Sequence, residues 1–391
     1  MTTSLKRLLM MNVSAGIIFN YMGIFINLFI WEKGQSIFDV AWFNLVLFAG
    51  WGAAFMFGAK LLSKFTIGYV MRVSAICAGV TFVLLSVVHA DLKQLYLAIL
   101  ALPVGITNGF YSAAQNIGIS LFGKSQEFNS FFSASNLFGQ IIAFTNPLLF
   151  AVIIQWLGFR GSFIIMFIFI MLMIVVSFYV PKITLAEAGE PVYRSFGIKQ
   201  VFASPSLKWM IPSLIAGGLF IQFQGIFSLI FTFSVTRDKL IIALLQIMYT
   251  LFTVLSLLVY KRVSRTGRVN DSRWLSFGIL AAAAGFLLVL FPKAPILIIS
   301  NVLTTVGLFF FLTIWSARQF IVTHKLAPIQ QARVLVWREL ILIFSRVFML
   351  ALILNIEDFK GYMFRCVMIF SFACALCIPY FSKKGIEAEA R

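Results

Sequence analysis

The sequence predicts an all-α membrane protein of twelve transmembrane helices arranged as two groups of six. Three observations predict it. Of 391 residues, 61% are hydrophobic and only 11% charged, where soluble domains carry about 25% charged residues. The apolar residues gather in runs of about 20 or more, the length a helix needs to cross hydrocarbon. The longest hydrophilic break, "PKITLAEAGEPVYRSFGIKQVFASPSLK" at 181–208, follows the sixth run.

The first helix is expected at 8–31, behind Lys6 and Arg7. Its apolar run exceeds the 7–15 residues of a cleavable signal, so it is read as a retained membrane span. The second is expected at 37–60, and "SIFD" at its start, with Ser36 three residues before Asp39, reads as a capping box. Charges, prolines and glycine clusters cut the others at 69–90, 94–122, 128–157, 160–181, 208–234, 239–260, 274–291, 295–322, 334–355 and 361–381. Connections such as "EKGQS", "HADLK", "GFRGS" and "FPKAP" are short, so successive helices run antiparallel. The expected units are 1–181, a linker at 182–207, and 208–391. Aromatic and basic residues in the linker suit either a segment on the membrane surface or a solvated connector.

Charge assigns the sides. The net charge is +18, from 31 Lys and Arg against 13 acids. In a soluble chain this would suggest nucleic acid, but here the cations lie between apolar spans and nucleic acid is set aside. On alternate sides of the predicted spans they number 21 and 8. The richer side carries both termini and is expected to be cytoplasmic, in a cell inner membrane. Two arginines, Arg338 and Arg346, fall inside the eleventh span.

Other chemistries lack their residues. Cys77, Cys366, Cys374 and Cys377 all sit in apolar spans, so no disulfide framework is implied, and the C-x-x-C at 374–377 reads as small packing residues. His89 and His324 lie at span ends, which leaves no metal site and no cofactor is expected. No G-x-x-x-x-G-K-[ST] loop occurs, so ATP is not the direct energy source. Deep paired carboxylates and Ser/His/Asp groupings are missing too, which argues against an enzyme.

The two groups share a motif. "GAKLLSKFTIG" at 58–68 follows the second span and "YKRVSRTGR" at 260–268 follows the eighth. Each holds Ser before a basic residue, Ser63-Lys64 and Ser264-Arg265, and the second continues to Gly267 and Arg268. With the six-plus-six division, these turns resemble the major facilitator superfamily, whose loop G-x-x-x-D-[RK]-x-G-[RK]-[RK] stands at these two places. Serine replaces the acid in both copies, and Thr66 replaces the glycine in the first. The resemblance implies a conformational loop there, without the charge contact the family's acid supplies. Residues 26–45, "INLFIWEKGQSIFDVAWFNL", are similar to a bacterial subgroup of YqgE-type permeases. "NLFGQIIAFTNP" at 136–147 offers Gly139 and Pro147 for a bending fifth helix, without a Gly-Pro antiporter signature.

Polar residues deep in spans are costly and face a partner or a cavity. They are Asn20, Asn108, Gln115, Asn136, Gln140, Gln222, Gln246, Tyr249 and Arg346, on helices that in the family line the central cavity. Any one amide is explained as well by interhelical hydrogen bonding. The set, converging from several helices, reads as a polar cavity. Arg346 lies about 18 Å of helix rise inside its span, too deep to snorkel. It is either structural, bound to neighbouring helices, or a substrate arginine that recognises carboxylate or phosphate. Glu339 shares its face seven residues earlier, too far for direct contact, so a water, an amide such as Gln246 or a substrate anion would lie between.

The resemblance implies a secondary transporter working by alternating access, and Arg346 together with the phenylalanine-rich, acid-poor spans suits a small anionic, amphipathic or lipid-like substrate. Export coupled to a proton gradient is expected, with the chain a monomer in the bilayer. Uptake or exchange of an organic anion, flipping of an anionic lipid, and a non-transporting receptor are the alternatives.

Overall fold

A computed structural model describes residues 1–87, 93–123, 125–182, 184–185, 192–235, 239–265, 271–289, 293–356 and 361–390. Every long element is helical. The chain opens with α1 (Thr3–Tyr21), which runs through a π-helical turn (Met22–Ile26) into α2 (Asn27–Gly34). Next come α3 (Ile37–Leu61), α4 (Ile67–Val87), α5 (Lys93–Phe122) and α6 (Ser125–Ser177). A short α7 (Ile198–Val201) precedes α8 (Pro205–Val235), α9 (Lys239–Arg265), α10 (Asp271–Leu288), α11 (Ala294–His324), α12 (Pro328–Ile353) and α13 (Tyr362–Ala390). Among the described residues eight helices are long and apolar enough to cross a membrane, and Ile247–Tyr260 is a shorter apolar one.

Outward faces are as apolar as the core. Ile76, Val80, Val83 and Val87 form an exposed stripe on α4, as do Ile164, Ile168, Met171 and Val175 on α6. Helices that are apolar all round belong in lipid. The buried faces are rich in rings and small residues. Tyr21 meets Phe150 at 4.6 Å and Phe82 at 5.7 Å.

The sequence suggests separate spans at 128–157 and 160–181, but helical pairing runs through the connection. At Gly158, φ is 67° and ψ 179°, a region essentially open only to glycine. This folds α6 into two arms, 125–157 and 159–177. Phe150 of one arm meets Phe169 of the other with centroids 6.0 Å apart.

Close helix crossings also need glycine. A Cβ on Gly105 would meet the Leu47 carbonyl oxygen at 2.1 Å, and one on Gly109 the Trp51 carbonyl oxygen at 2.5 Å. The G-x-x-x-G of α5 therefore presses its backbone onto α3. Elsewhere α4 packs on α5 and α6, α1 on α6, α8 on α12 and α13, and α11 on α9 and α10. Two further seams are α3 against α12 and α6 against α9.

Thr2 N donates to Glu127 at the start of α6, Phe128 lies 6.1 Å from Phe320, and Arg318 donates to Ser382. The beginning and end of the chain thus share one face, the terminal face. On it the Ser36 hydroxyl is absent; that cap, accepting from Asp39 N at 3.4 Å, marks the opposite end of α3.

Candidate functional site

α12 begins at Pro328, where a fixed φ and a missing N–H suit a helix start. Its first turns carry polar residues into the interior, and Gln331, Arg333, Arg338 and Glu339 are all buried. Gln331 accepts a hydrogen bond from Ser120 of α5 and donates to the Leu326 carbonyl at 2.8 Å. Arg338 Nη1 donates to Glu339 Oε2 at 3.4 Å. Its Nε donates to Gln319 of α11, and its guanidinium lies 5.6 Å from the Phe320 ring centroid.

Arg346 is placed differently. Its guanidinium stands 5.0 Å from the Phe48 ring centroid and 5.7 Å from that of Trp51, two rings of α3 stacked on each other at 5.5 Å. Arg346 Nε and Trp51 Nε1 are both buried donors without an acceptor among the described residues. Arg346 and Glu339, expected to share a face without touching, interact only through space. The carboxylate instead binds its chain neighbour Arg338. Adjacent residues diverge by about 100° around a helix, so spacing gives no sign of that pair; only a long, flexible side chain closes it.

The expected polar residues divide into groups. Asn20 lines a cavity of about 330 Å³ with Asn12, Gly16, Ser135 and Gly139, and its Oδ1 is buried without a donor among the described residues. Asn12, which the sequence reading missed, is the hub there: Nδ2 donates to Ser135 Oγ at 2.5 Å, and Tyr111 donates to Oδ1 at 3.2 Å. Its position near the chain start had concealed it. Asn108 binds back to its own helix at the Val104 carbonyl. Gln115 is buried with Oε1 lacking a donor among the described residues, and Gln222 is buried in α8.

On the other side, Tyr249 accepts from Asn301, which also accepts from Ser228 at 3.1 Å. Nearby, Phe132, Thr253, Thr305, Thr313 and Ser316 help line a second cavity of about 380 Å³ between α6, α9 and α11. Both cavity linings are uncharged, and Arg346 belongs to neither. Asn136, Gln140 and Gln246 sit on described helices, but their side chains lie outside the described set, as do those of Ser264 and Arg265. Gly267 and Arg268 lie outside the described residues altogether. Ser63 and Lys64 form the turn that ends α3, their amides donating to Lys60 and Leu61 carbonyls.

A sequence model of the Major Facilitator Superfamily matches residues 8–348. Comparison with curated proteins found no match. Among solved structures, one from work on substrate recognition in proton dependent oligopeptide transporters is 12% identical, with TM-score 0.66 and coverage of 100% of both chains. A POT family transporter in complex with 5-aminolevulinic acid is 12% identical, with TM-score 0.69, covering 97% of this chain and 96% of that one. Another, bound to a thioalcohol conjugated peptide, is 13% identical at TM-score 0.71, with the same coverage. At such identities the likeness concerns the fold alone.

Proposed function

The chain belongs to the major facilitator superfamily, and from that premise we propose that it moves a small molecule bearing an anionic group across the membrane by alternating access. The observation that carries this reading is the pair of acceptorless buried donors, Arg346 Nε and Trp51 Nε1, brought together at the α3–α12 seam. A buried donor left unmade costs about 1–3 kcal/mol, and a carboxylate or phosphate oxygen supplies the missing acceptor. The guanidinium lies over the Phe48 and Trp51 rings, and a planar guanidinium can stack on rings while its N–H edge binds an anion. The two separate cavities, around Asn12 and Asn20 and around Thr253 and Thr305, are lined by uncharged amides and hydroxyls, which can hydrogen-bond neutral polar groups but add no second charge.

In this reading twelve helices cross the bilayer in units 1–181 and 208–391, with termini cytoplasmic. The packing supports a repeat: α1/α6, α3/α5, α4/α5 and α4/α6 correspond to α8/α12, α9/α11, α10/α11 and α10/α13. The same correspondence exchanges the α3–α12 seam with α9–α6, as a two-fold axis between inverted or parallel repeats requires. Protons are the proposed coupling ion, with Glu339 as carrier, since it is a buried acid whose partner Arg338 is also held by Gln319 and can keep that bond when the carboxyl is protonated. The narrower likeness to YqgE-type permeases rests on residues 26–45 and names no substrate.

Purified protein in proteoliposomes, with an imposed pH gradient and a panel of labelled organic anions, anionic lipids and neutral amphiphiles, tests the proposal. Flux of an anion that disappears in Arg346→Met supports it, and the polarity of the gradient that drives flux gives the direction. Flux confined to neutral or cationic compounds, unaffected by Arg346→Met, overturns it.

A further inference from the structure

The linker between α6 and α8 touches both partners of the α3–α12 seam. On the α3 side, the Tyr193 hydroxyl donates to the Met56 carbonyl, and Leu185 N donates to the Leu62 carbonyl at 2.9 Å. On the α12 side, Arg333 Nε donates to the Val192 carbonyl at 3.0 Å and Trp337 Nε1 to the Phe196 carbonyl at 2.7 Å. Phe196 also stacks on Trp337 at 5.2 Å and an interplanar angle of 19°. Tyr193 and Phe196 meet edge to face at 4.9 Å, so the two anchors are joined by ring contact. Val192, whose carbonyl accepts from Arg333, is 1% exposed.

A passive tether would have no reason to bury Val192 or to satisfy its carbonyls with side chains from one helix while donating to another. Nor could such a segment stay bound to both helices if they part. The anchors are unequal. Residues 192–196 hold α12 through two donors and a ring stack, and hold α3 through one phenol.

We propose that residues 192–196 form a closing strap, which stays seated on α12 and releases α3 when the terminal face opens. Tyr193 is its detachable contact. It acts beside two other closures on that face, Ser120 with Gln331, and the rings of Phe128 and Phe132 with Phe320. Opening must break all three, and the strap is the one made by the linker.

The test needs no substrate, so it stands apart from the proposed function. In full-length protein with Cys77, Cys366, Cys374 and Cys377 replaced by alanine, spin labels are placed at Lys64→Cys and Lys325→Cys, both exposed on turns of the terminal face. Pulsed electron–electron resonance then reads closed and open distances in detergent or nanodiscs. Removing one hydrogen bond made only in the closed form raises the open-to-closed ratio about fivefold. Tyr193→Phe is expected to give that shift, while Trp337→Phe, which removes a bond kept in both forms, and Tyr179→Phe, an exposed tyrosine outside the strap, are expected to match the parent's ratio. Parent-like distributions in Tyr193→Phe at an unchanged melting temperature overturn the proposal, as does a parent lacking the closed distance. Tyr193→Phe removes one oxygen atom, so it carries the test even where Trp337→Phe fails to fold.

Discussion

Replacing Arg346 by methionine separates a binding arginine from a structural one by the sign of its effect on stability. The side chain has two favourable contacts, its stacks on Phe48 and Trp51, at about 0.5–1 kcal/mol each. Against these stands a buried Nε–H with no acceptor, costing about 1–3 kcal/mol, and the desolvation of the charge itself. Methionine keeps the length, packs on the rings through its sulfur and methyl, and carries no charge to desolvate. Arg346→Met is therefore expected to leave stability within about 1 kcal/mol of the parent or above it, while losing the charge-assisted bond to an anion, about 1.5–3 kcal/mol. That loss corresponds to roughly 10–150-fold in affinity. Thermal unfolding in detergent measures the first quantity, and concentration-dependent flux of the anion found in the proteoliposome screen measures the second. Arg346→Lys keeps the charge without the planar fork and should fall between. A melting temperature that drops by several degrees in Arg346→Met, with flux unaltered, would refute the reasoning and make Arg346 a structural residue.

Trp51→Phe keeps a ring beneath the guanidinium but removes the second acceptorless donor. It should weaken anion binding about fivefold with little change in melting temperature. Glu339→Gln removes the proposed proton carrier; accumulation driven by a pH gradient should vanish while counterflow exchange persists, and gradient-driven accumulation in the variant would exclude Glu339 from coupling. Gly105→Ala places a methyl carbon where the Leu47 carbonyl oxygen already lies and should destabilise the protein by about 1–3 kcal/mol, read as an earlier unfolding transition. Burial pushes the Tyr193 phenol from 10.0 up to about 12. With the folded value raised, its hydrogen bond is complete below pH 10 and is lost as pH rises through about 12. Ultraviolet titration of the parent against Tyr193→Phe checks this, and a Tyr193 titrating near 10 would contradict its burial.

Helix positions were legible because run length in lipid has few solutions. The expected 37–60 and 69–90 lie within a few residues of Ile37–Leu61 and the start of Ile67–Val87. The expected span 334–355 falls almost wholly on α12, which itself opens earlier, at Pro328, and is helical through Gln330, Gln331 and Arg333; an apolar run shows the lipid-compatible part of a helix and not its polar end. Arg346 was conspicuous as a charge in a greasy run, but its seat on Phe48 and Trp51 was not. Those rings lie on a helix distant in sequence, and one more aromatic among many carries no label. Asn12 and Asn301 escaped for a similar reason, since an amide becomes a site only through what faces it. Tyr193 counted only among the linker's aromatic residues, because a linker has no periodicity from which a buried contact can be read.

The crossing at Gly105 and Gly109 has a mechanical consequence. With its backbone seated against that of α3, α5 cannot be left behind when α3 swings, so the two behave as a single lever. Ser120 near the end of α5 grips Gln331 at the start of α12, and Met56 of α3 grips Tyr193. One displacement of the lever pulls on both grips together. The terminal face should therefore open as a snap, with a single threshold, instead of peeling apart one contact at a time.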